Sequence, residues 1–369
     1  MDLNLTLGVE EEFLIVDAGT GELRSKAQRV LPEAKDVLGE RVTAELNLSQ
    51  IETGTRVCSS LGELRTELVH LRRDVAAAAE AVGCQVVAAG THPSAHWQDQ
   101  QINPTKDRYR LLEEEFQLTA RKQLVCGSHV HVGIPDPDLA IQVLNRVRIW
   151  LSPLLALTAN SPFWMGVDSG YASYRTQVWQ QWPLTGMPEP LASRAAYDDL
   201  IEQLVAAGAL RDASFLYWDV RPSVRYETLE FRIADSCLTL DESVMLAGLT
   251  RGLACTAAAE VIAGEPLQPV RGELVEVAKW RAGRFGLDDT LVDVEAGRSR
   301  PAAEVVASLL DHVRPALEEL GDWEEVSSLV KRTLARGNGA SRQREAFARA
   351  QSLGGVLGFL ITETMAGVD

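Results

Sequence analysis

The chain has 369 residues, enough for one large or two ordinary domains, and its hydrophobic content of 46% supports a substantial core. Its net charge of −16 disfavours a nucleic acid or an anionic membrane as a partner, because both are polyanions. The five cysteines are odd in number and form no C-x-x-C pair, so we expect neither a disulfide framework nor a zinc knuckle, and a cytoplasmic location fits best.

The first 235 residues mix strand and helix patterns. Alternating apolar residues predict strands over 4–16, 41–57, 84–90, 123–134, 216–221 and 225–235. Helical spacing of apolar residues predicts helices over 61–82, 106–120 and 138–158. Segment 160–192 is rich in Gly, Pro and aromatic residues and is predicted to be a long functional loop.

Beyond residue 238 the pattern is almost entirely helical. Predicted helices cover 240–263, 272–283, 301–319, 322–336 and 341–365, with a stop signal at Gly-Asn-Gly 337–339. Arg251 and Glu260 interrupt the most apolar stretch, which favours a buried helix over a membrane span. Because no Ser/Pro/Gly linker divides the chain, we predict one continuous α+β domain, 1–369, with a sheet-bearing core over 1–238 and a helical layer over 239–369.

The first predicted strand contains three consecutive carboxylates, Glu10, Glu11 and Glu12. Alternation places Glu10 and Glu12 on one face, roughly 7 Å apart. At an effective dielectric near 20 they repel by about 2 kcal/mol. A divalent cation would reverse the sign of that interaction. Glu11 falls on the apolar face, where no role is predicted for it.

The second strand carries Glu45 and Glu52, seven positions apart. On a regular strand they would point to opposite faces. They could share one site only if a bulge or turn near 47–49 resets the alternation. Taken alone, two solvated glutamates are the simpler interpretation.

The strand at 123–134 contains an H-x-H pair, His129 and His131, on one face. Gly127 and Gly133 flank the pair on the same side, where missing side chains would let a ligand approach the backbone. Core histidines with ordinary hydrogen bonds and histidines that bind a metal or a phosphate are equally compatible with this pattern.

The last strand has a polar face that includes Glu230 and Arg232, and Arg221 and Arg225 lie nearby in the chain. A solvated, salt-bridged edge strand would have the same pattern. Together, however, the four segments fit one sheet with an apolar side and a charged side. Carboxylates suit Mg²⁺ or Mn²⁺, and arginines facing those cations imply a polyphosphate between them. Neither a P-loop nor a kinase-type glycine loop is present, so the residues by themselves predict a metal–nucleotide enzyme of another type.

Several long motifs resemble the type 2 glutamate–cysteine ligases, or carboxylate–amine ligases, of the glutamine synthetase-like superfamily. The motifs are GVEEEF (8–13), SQIETGT (49–55), GTHP (90–93), CGSHVHVGIP (126–135), SPFWMGVDSGYASYR (161–175), WDVRPS (218–223) and TLEFRIAD (228–235). The resemblance implies a curved, mainly antiparallel sheet with helices on its outer face. It also implies ATP and two or three Mg²⁺ or Mn²⁺ ions on the concave face.

The resemblance assigns roles residue by residue. It implies one metal held by Glu12, His129 and Glu230, and a second held by Glu10, Glu45 and Glu52. It implies phosphate contacts from His131 and Arg232, with Arg221 and Arg225 as lesser candidates, and catalytic roles for Arg232 and Glu230. It implies a substrate clamp formed by Tyr171, Ser173 and Arg175, although Arg175 in such a loop could equally be a surface residue.

The implied reaction is the ATP-dependent formation of an amide through an acyl phosphate, with the γ-carboxylate of L-glutamate and the amine of L-cysteine or another amino compound. Three alternatives stay open: a guanidino phosphotransferase, a metal-dependent hydrolase, and a nucleotide- or metal-binding regulator without activity. The expected partners are small molecules, and a homodimer is plausible.

Overall fold

The protein is described by a computed structural model over residues 5–368. Within that range the strands are β1 (Leu7–Asp17), β2 (Val42–Ala44), β3 (Gln50–Gly54), β4 (Cys84–Val87), β5 (Gly127–Gly133), β6 (Phe163–Trp164), β7 (Val167–Asp168), β8 (Thr185–Gly186), β9 (Tyr217–Trp218), β10 (Val220–Pro222), β11 (Thr228–Asp235), β12 (Thr290–Asp293) and β13 (Arg298–Pro301). Seven of them form the main sheet in the order β10-β11-β5-β1-β3-β2, with β4 also paired to β1. Every pairing in this sheet is antiparallel.

Helices make up most of the remaining structure. They are α1 (Ala27–Leu38), α2 (Leu61–Ala81), α3 (Asp107–Phe116), α4 (Leu118–Arg121), α5 (Pro137–Val147), α6 (Leu151–Thr158), α7 (Arg175–Trp179), α8 (Arg194–Ala206), α9 (Leu240–Ile262), α10 (Gly272–Phe285), α11 (Ala302–Leu320), α12 (Trp323–Arg336), α13 (Gly339–Ala350) and α14 (Leu353–Thr364). The predicted stop at 337–339 is confirmed, because α12 ends before it and Asn338 caps α13.

The largest hydrophobic cluster lies between one face of the sheet and the helices α2, α6 and α9. Its members include Val9, Val130 and Phe231 from the strands and Leu64 and Val244 from the helices. Because alternate strand residues point to opposite faces, this packing leaves the other face of the same strands to polar side chains. Among the described residues, α9 is long and apolar enough to cross a membrane, but 72% of its most apolar window is buried within the protein.

The predicted α+β arrangement of helices and antiparallel sheet is confirmed, while several element boundaries were wrong. The segment predicted as one strand over 41–57 is a hairpin, and the helices predicted over 106–120 and 341–365 are each interrupted by a residue with positive φ, Gln117 or Gln351. Helix α8 was not predicted, since it buries only Tyr197 and so lacks an apolar stripe. The hairpin β12–β13 lies in a region predicted to be helical. Residue 4 of the first predicted strand lies outside the described residues.

Candidate active site on the polar face of the sheet

The register of the main sheet places polar side chains of neighbouring strands directly opposite one another. The cross-strand pairs are Glu12–Glu52, Glu10–His129, His131–Glu230 and Arg221–Glu230. Residues directly opposed in an antiparallel ladder point to the same face, so five strands contribute to one polar surface. The predicted face of Glu10 and Glu12 is confirmed, because both are partly exposed whereas Val9, Glu11 and Phe13, which alternate with them, are buried.

Two groups of carboxylate and imidazole atoms on this surface are spaced to hold a cation. One is Glu10, His129 and Glu230, and the other is Glu12, Glu52 and His129, with the ligand atoms of each group within 4.8 Å of one another. His129 belongs to both groups because its Nδ1 lies 3.3 Å from Glu10 Oε2 and its Nε2 lies 3.7 Å from Glu12 Oε1. The resemblance instead implies Glu12 with Glu230 and Glu10 with Glu52, so the assignment of these two carboxylates to individual ions stays a prediction.

Glu45 reaches the same surface from the turn between β2 and β3. That turn resets the alternation, which brings the Glu45 carboxyl close enough to Glu12 and Glu52 to affect its titration. Burial and the nearby charge of Glu12 raise the pKa of Glu45 to about 7. Burial, followed by the charges of Glu10, Glu45 and Glu12, also raises the pKa of Glu52 well above its usual value. A bound cation would offset the repulsion that contributes to these raised pKa values, which fits a cation-binding role.

The opposite end of the array is cationic. Arg221 Nε donates to Glu230 Oε2 at 2.9 Å, and the Arg232 guanidinium contacts the other oxygen of Glu230. Although burial alone would raise the pKa of Glu230, Arg232 and Arg221 hold it well below its usual range. The Arg232 guanidinium also lies over the ring of Trp179. These two arginines are positioned so that they could bind an anionic group whose other side contacts cations held by the glutamates.

The two histidines lie between the anionic and cationic ends. His131 Nδ1 is 2.8 Å from Thr228 Oγ1, and its Nε2 is 3.5 Å from Glu10 Oε1 without a hydrogen bond to any described residue. Burial and the charge of Arg232 lower the pKa of His129. A lowered pKa favours the neutral form of His129, and a neutral ring nitrogen can bind a metal or accept a proton.

The missing side chains of the glycines beside the histidines make room for other residues of the protein rather than for a ligand. A Cβ at Gly127 would collide with the Arg175 guanidinium, and a Cβ at Gly133 would collide with the Thr6 hydroxyl. The expectation that these gaps admit a ligand is therefore wrong. The backbone N–H of Gly127 instead donates to Glu12 Oε2 at 2.7 Å and helps to orient that carboxylate.

Two of the predicted substrate residues in the 160–192 loop are buried against the end of β11. Ser173 Oγ donates to Asp235 Oδ1 at 2.7 Å. Arg175 donates to the carbonyl oxygens of Arg232 at 3.2 Å and Ile233 at 3.4 Å. In this structure both side chains anchor the loop to the strand that carries Glu230.

The last two predicted residues are Tyr171 and Arg225. Tyr171 is partly buried, with the Arg284 guanidinium 5.4 Å from its ring centroid. Arg225 is exposed in the hairpin between β10 and β11. The structure thus brings Arg221 and Arg232 to the carboxylates and leaves Arg225 outside the cluster.

Sequence reasoning missed the partner of Glu11. Its carboxylate forms a buried ion pair with Arg72, which lies on the apolar side of α2. Each residue is a single charge that interrupts an otherwise apolar pattern. These two isolated charges of opposite sign were the signal from which the ion pair could have been predicted. Nothing in the sequence, however, indicated that they contact each other.

Comparison with known proteins identifies the family. The family model described as glutamate–cysteine ligase family 2 matches residues 6–363. The chain belongs to this family. A Frankia alni relative provisionally named glutamate–cysteine ligase 2-2 is 46% identical over 376 residues, covering 97% of each chain. A Mycolicibacterium smegmatis relative with the same provisional name is 44% identical, covering 97% of this chain and 90% of the relative.

Solved structures share the fold at low sequence identity. The glutamate–cysteine ligase of Francisella tularensis, solved in complex with AMP, has a TM-score of 0.71 at 15% identity and covers 98% of this chain and 87% of that one. A bifunctional glutathione synthetase from Pasteurella multocida has a TM-score of 0.70 at 17% identity, and the match covers 99% of this chain and 53% of that one. Membership of the glutamate–cysteine ligase family identifies this protein as an ATP-dependent carbon–nitrogen ligase that uses a divalent cation and acts on small molecules.

Proposed function

We propose that this ligase joins the γ-carboxylate of L-glutamate to the amino group of L-cysteine or another amino compound, through an acyl phosphate. The observation that carries the proposal is the convergence of carboxylates, histidines and paired arginines on one face of the sheet. Family membership supports the reaction class. The names of the relatives support glutamate and cysteine as the first substrates to test.

The residues present fit divalent cations. The groups centred on His129 offer hard oxygen ligands and one imidazole, which suits Mg²⁺ or Mn²⁺. Burial and neighbouring carboxylate charges raise the pKa of Glu45 and Glu52, and bound cations would offset that repulsion. We propose two or three ions, held by Glu10, Glu12, Glu45, Glu52, His129 and Glu230. Such ions would neutralise phosphate charge during transfer.

The arginines and His131 would bind the phosphates of ATP. Arg232 and Arg221 are already held in place by Glu230, so an arriving phosphate meets oriented donors. His131 Nε2 is buried without a hydrogen bond to any described residue, which suits a ligand oxygen as its partner. These groups would counter the charge that develops on the transferred phosphoryl group.

The proposed reaction has two chemical steps. A γ-carboxylate oxygen attacks the γ-phosphorus of ATP, the bond to the bridging oxygen of ADP breaks, and an acyl phosphate forms. The unprotonated amine nitrogen then attacks the acyl carbon, the carbon–oxygen bond breaks, and inorganic phosphate leaves as the nitrogen loses a proton. Activation is needed because a free carboxylate oxygen is a poor leaving group.

The substrate contacts are the part of the proposal that rests on loop 160–192. Tyr171, the most accessible of the three implied clamp residues, is proposed to contact the amino acid. Ser173 and Arg175 would act by fixing the loop against β11.

The test is to incubate the full chain with ATP, Mg²⁺ and glutamate together with a panel of amines and amino acids that includes cysteine. ADP release and product mass are followed. We expect ADP release that depends on the amine, with one condensed product per ADP. Formation of ADP together with a phosphorylated guanidino compound and no amide would overturn the ligase assignment in favour of a phosphotransferase.

A further inference from the structure

A buried ion pair lies beneath the polar face, on the strand that carries two of its carboxylates. Glu11 points away from Glu10 and Glu12, and its side chain is 1% exposed. Arg72 is fully buried and donates to both oxygens of Glu11, from Nη2 at 2.6 Å and from Nε at 3.1 Å. Ser243 Oγ donates to the same carboxylate at 2.5 Å.

The other donors of Arg72 bind backbone carbonyl oxygens from distant parts of the chain. They reach Cys237 at 2.9 Å, Leu238 at 3.3 Å and Thr364 at 2.8 Å. All five N–H groups of the guanidinium therefore have an acceptor, which is the condition under which a buried charge is tolerated. Through Arg72, β1 is tied to the segment after β11 and to the end of α14.

This connection fixes the position of β1 where metal geometry demands it. Glu10 and Glu12 are the chain neighbours of Glu11, so a shift of Glu11 along the strand moves both of them. Metal–ligand distances tolerate deviations of only about 0.2 Å. Resting on the proposed function, we propose that Arg72 is a positioning residue that holds Glu11 and thereby sets Glu10 and Glu12 for cation binding.

Mn²⁺ affinity separates this role from a purely stabilising one. Arg72→Lys keeps the positive charge but loses the planar fork that grips both oxygens. The matched control is Arg146→Lys, because the Arg146 side chain is only 11% exposed, pairs with Glu260 of α9 and donates to the carbonyl oxygens of Gln142 and Glu265. Free Mn²⁺ is measured by electron paramagnetic resonance during titration of each full-length protein without nucleotide, well below each melting temperature.

We expect Arg72→Lys to bind Mn²⁺ about 10- to 100-fold more weakly, as is typical when a group that orients a metal ligand is changed. Arg146→Lys should bind Mn²⁺ like the wild type. Excess Mn²⁺ should restore kcat in Arg72→Lys while the apparent KM for the metal stays raised. Unchanged Mn²⁺ affinity in a folded Arg72→Lys protein would overturn the proposal.

If Arg72→Lys fails to fold, Glu11→Gln decides the question, because it removes the charge that Arg72 holds and leaves only one side-chain oxygen to accept from the guanidinium. A loss of Mn²⁺ affinity supports the proposal, and wild-type affinity overturns it. Wild-type protein that binds Mn²⁺ but forms no amide would defeat the proposed function and leave this inference standing. Wild-type protein that binds no Mn²⁺ would overturn the inference.

Discussion

Glutamates on the two faces of β1 lie in opposite electrostatic environments. On the closed face, Glu11 is matched by one arginine whose donors are all satisfied. On the open face, Glu12 lies among other carboxylates, two of which have a raised pKa because of burial and mutual repulsion. Charge that is compensated inside the protein contributes to the fold, whereas charge left uncompensated marks the place where a ligand must supply the opposite sign.

The largest effect of a substitution is expected on the closed face of β1, where it would change the stability of the fold. Glu11→Gln leaves the Arg72 cation buried without a counter-charge, and we expect the free energy of unfolding to fall by about 3–5 kcal/mol. Urea denaturation would measure it, with Glu12→Gln as the control from the open face. Equal losses in the two variants would contradict the distinction between the faces.

The open face should show the reverse behaviour. Glu12→Gln and Glu230→Gln should each lower the rate of amide formation at least about 100-fold, because each removes a charged ligand from a cation group. The melting temperature checks that the fold survives. Glu40→Gln, which changes a side chain that is 94% exposed, should leave the rate unchanged. Near-normal turnover in either active-site variant would remove that residue from the proposed metal set.

The raised pKa of Glu45 gives a dependence on pH that a cation should cancel. The unfolded carboxyl loses its proton near pH 4.5 and the folded one near 7, so this group destabilises the metal-free protein increasingly as the pH rises between those values. Since Glu45 is only partly buried, we expect a loss of about 2 kcal/mol relative to Glu45→Gln.

Unfolding of wild type and Glu45→Gln in EDTA and in Mg²⁺, at pH 5 and pH 8, measures this loss. Histidines with a lowered pKa, such as His129 and His92, act in the opposite direction over the same range, so the difference between the two proteins isolates Glu45. Mg²⁺ should stabilise the wild type more at pH 8 than at pH 5. Identical pH profiles of the two proteins would show that Glu45 is not part of the crowded group.

The smallest effect is expected at the exposed hairpin. Arg225→Ala should change the KM for ATP less than about twofold, since an exposed charge is well screened by water. Arg221→Ala, which removes a donor to Glu230, should raise that KM much further. Equal effects in the two variants would place Arg225 at the nucleotide after all.

Local patterns predicted the elements that build the site better than they predicted its partners. Alternation located β1, β5 and β11 and put Glu10, Glu12 and both histidines on the polar face. It could not decide whether Glu45 and Glu52 meet, because the answer depends on a turn whose geometry the alternation does not encode. It also gave the wrong reason for Gly127, whose missing Cβ accommodates Arg175 from a loop 48 positions away.

The sequence by itself determined the metal–nucleotide character of this protein and, through its motifs, its family, because periodicity and residue chemistry are local properties. The single-domain boundary and the roles of the clamp residues are still predictions. Only the tertiary structure decided that Glu11 pairs with Arg72, that His129 lies between Glu10 and Glu12, and that Glu230 lies between two arginines. Those relations join strands and helices that are far apart in the chain, and they arise only when the packed sheet brings their side chains within a few ångströms of one another.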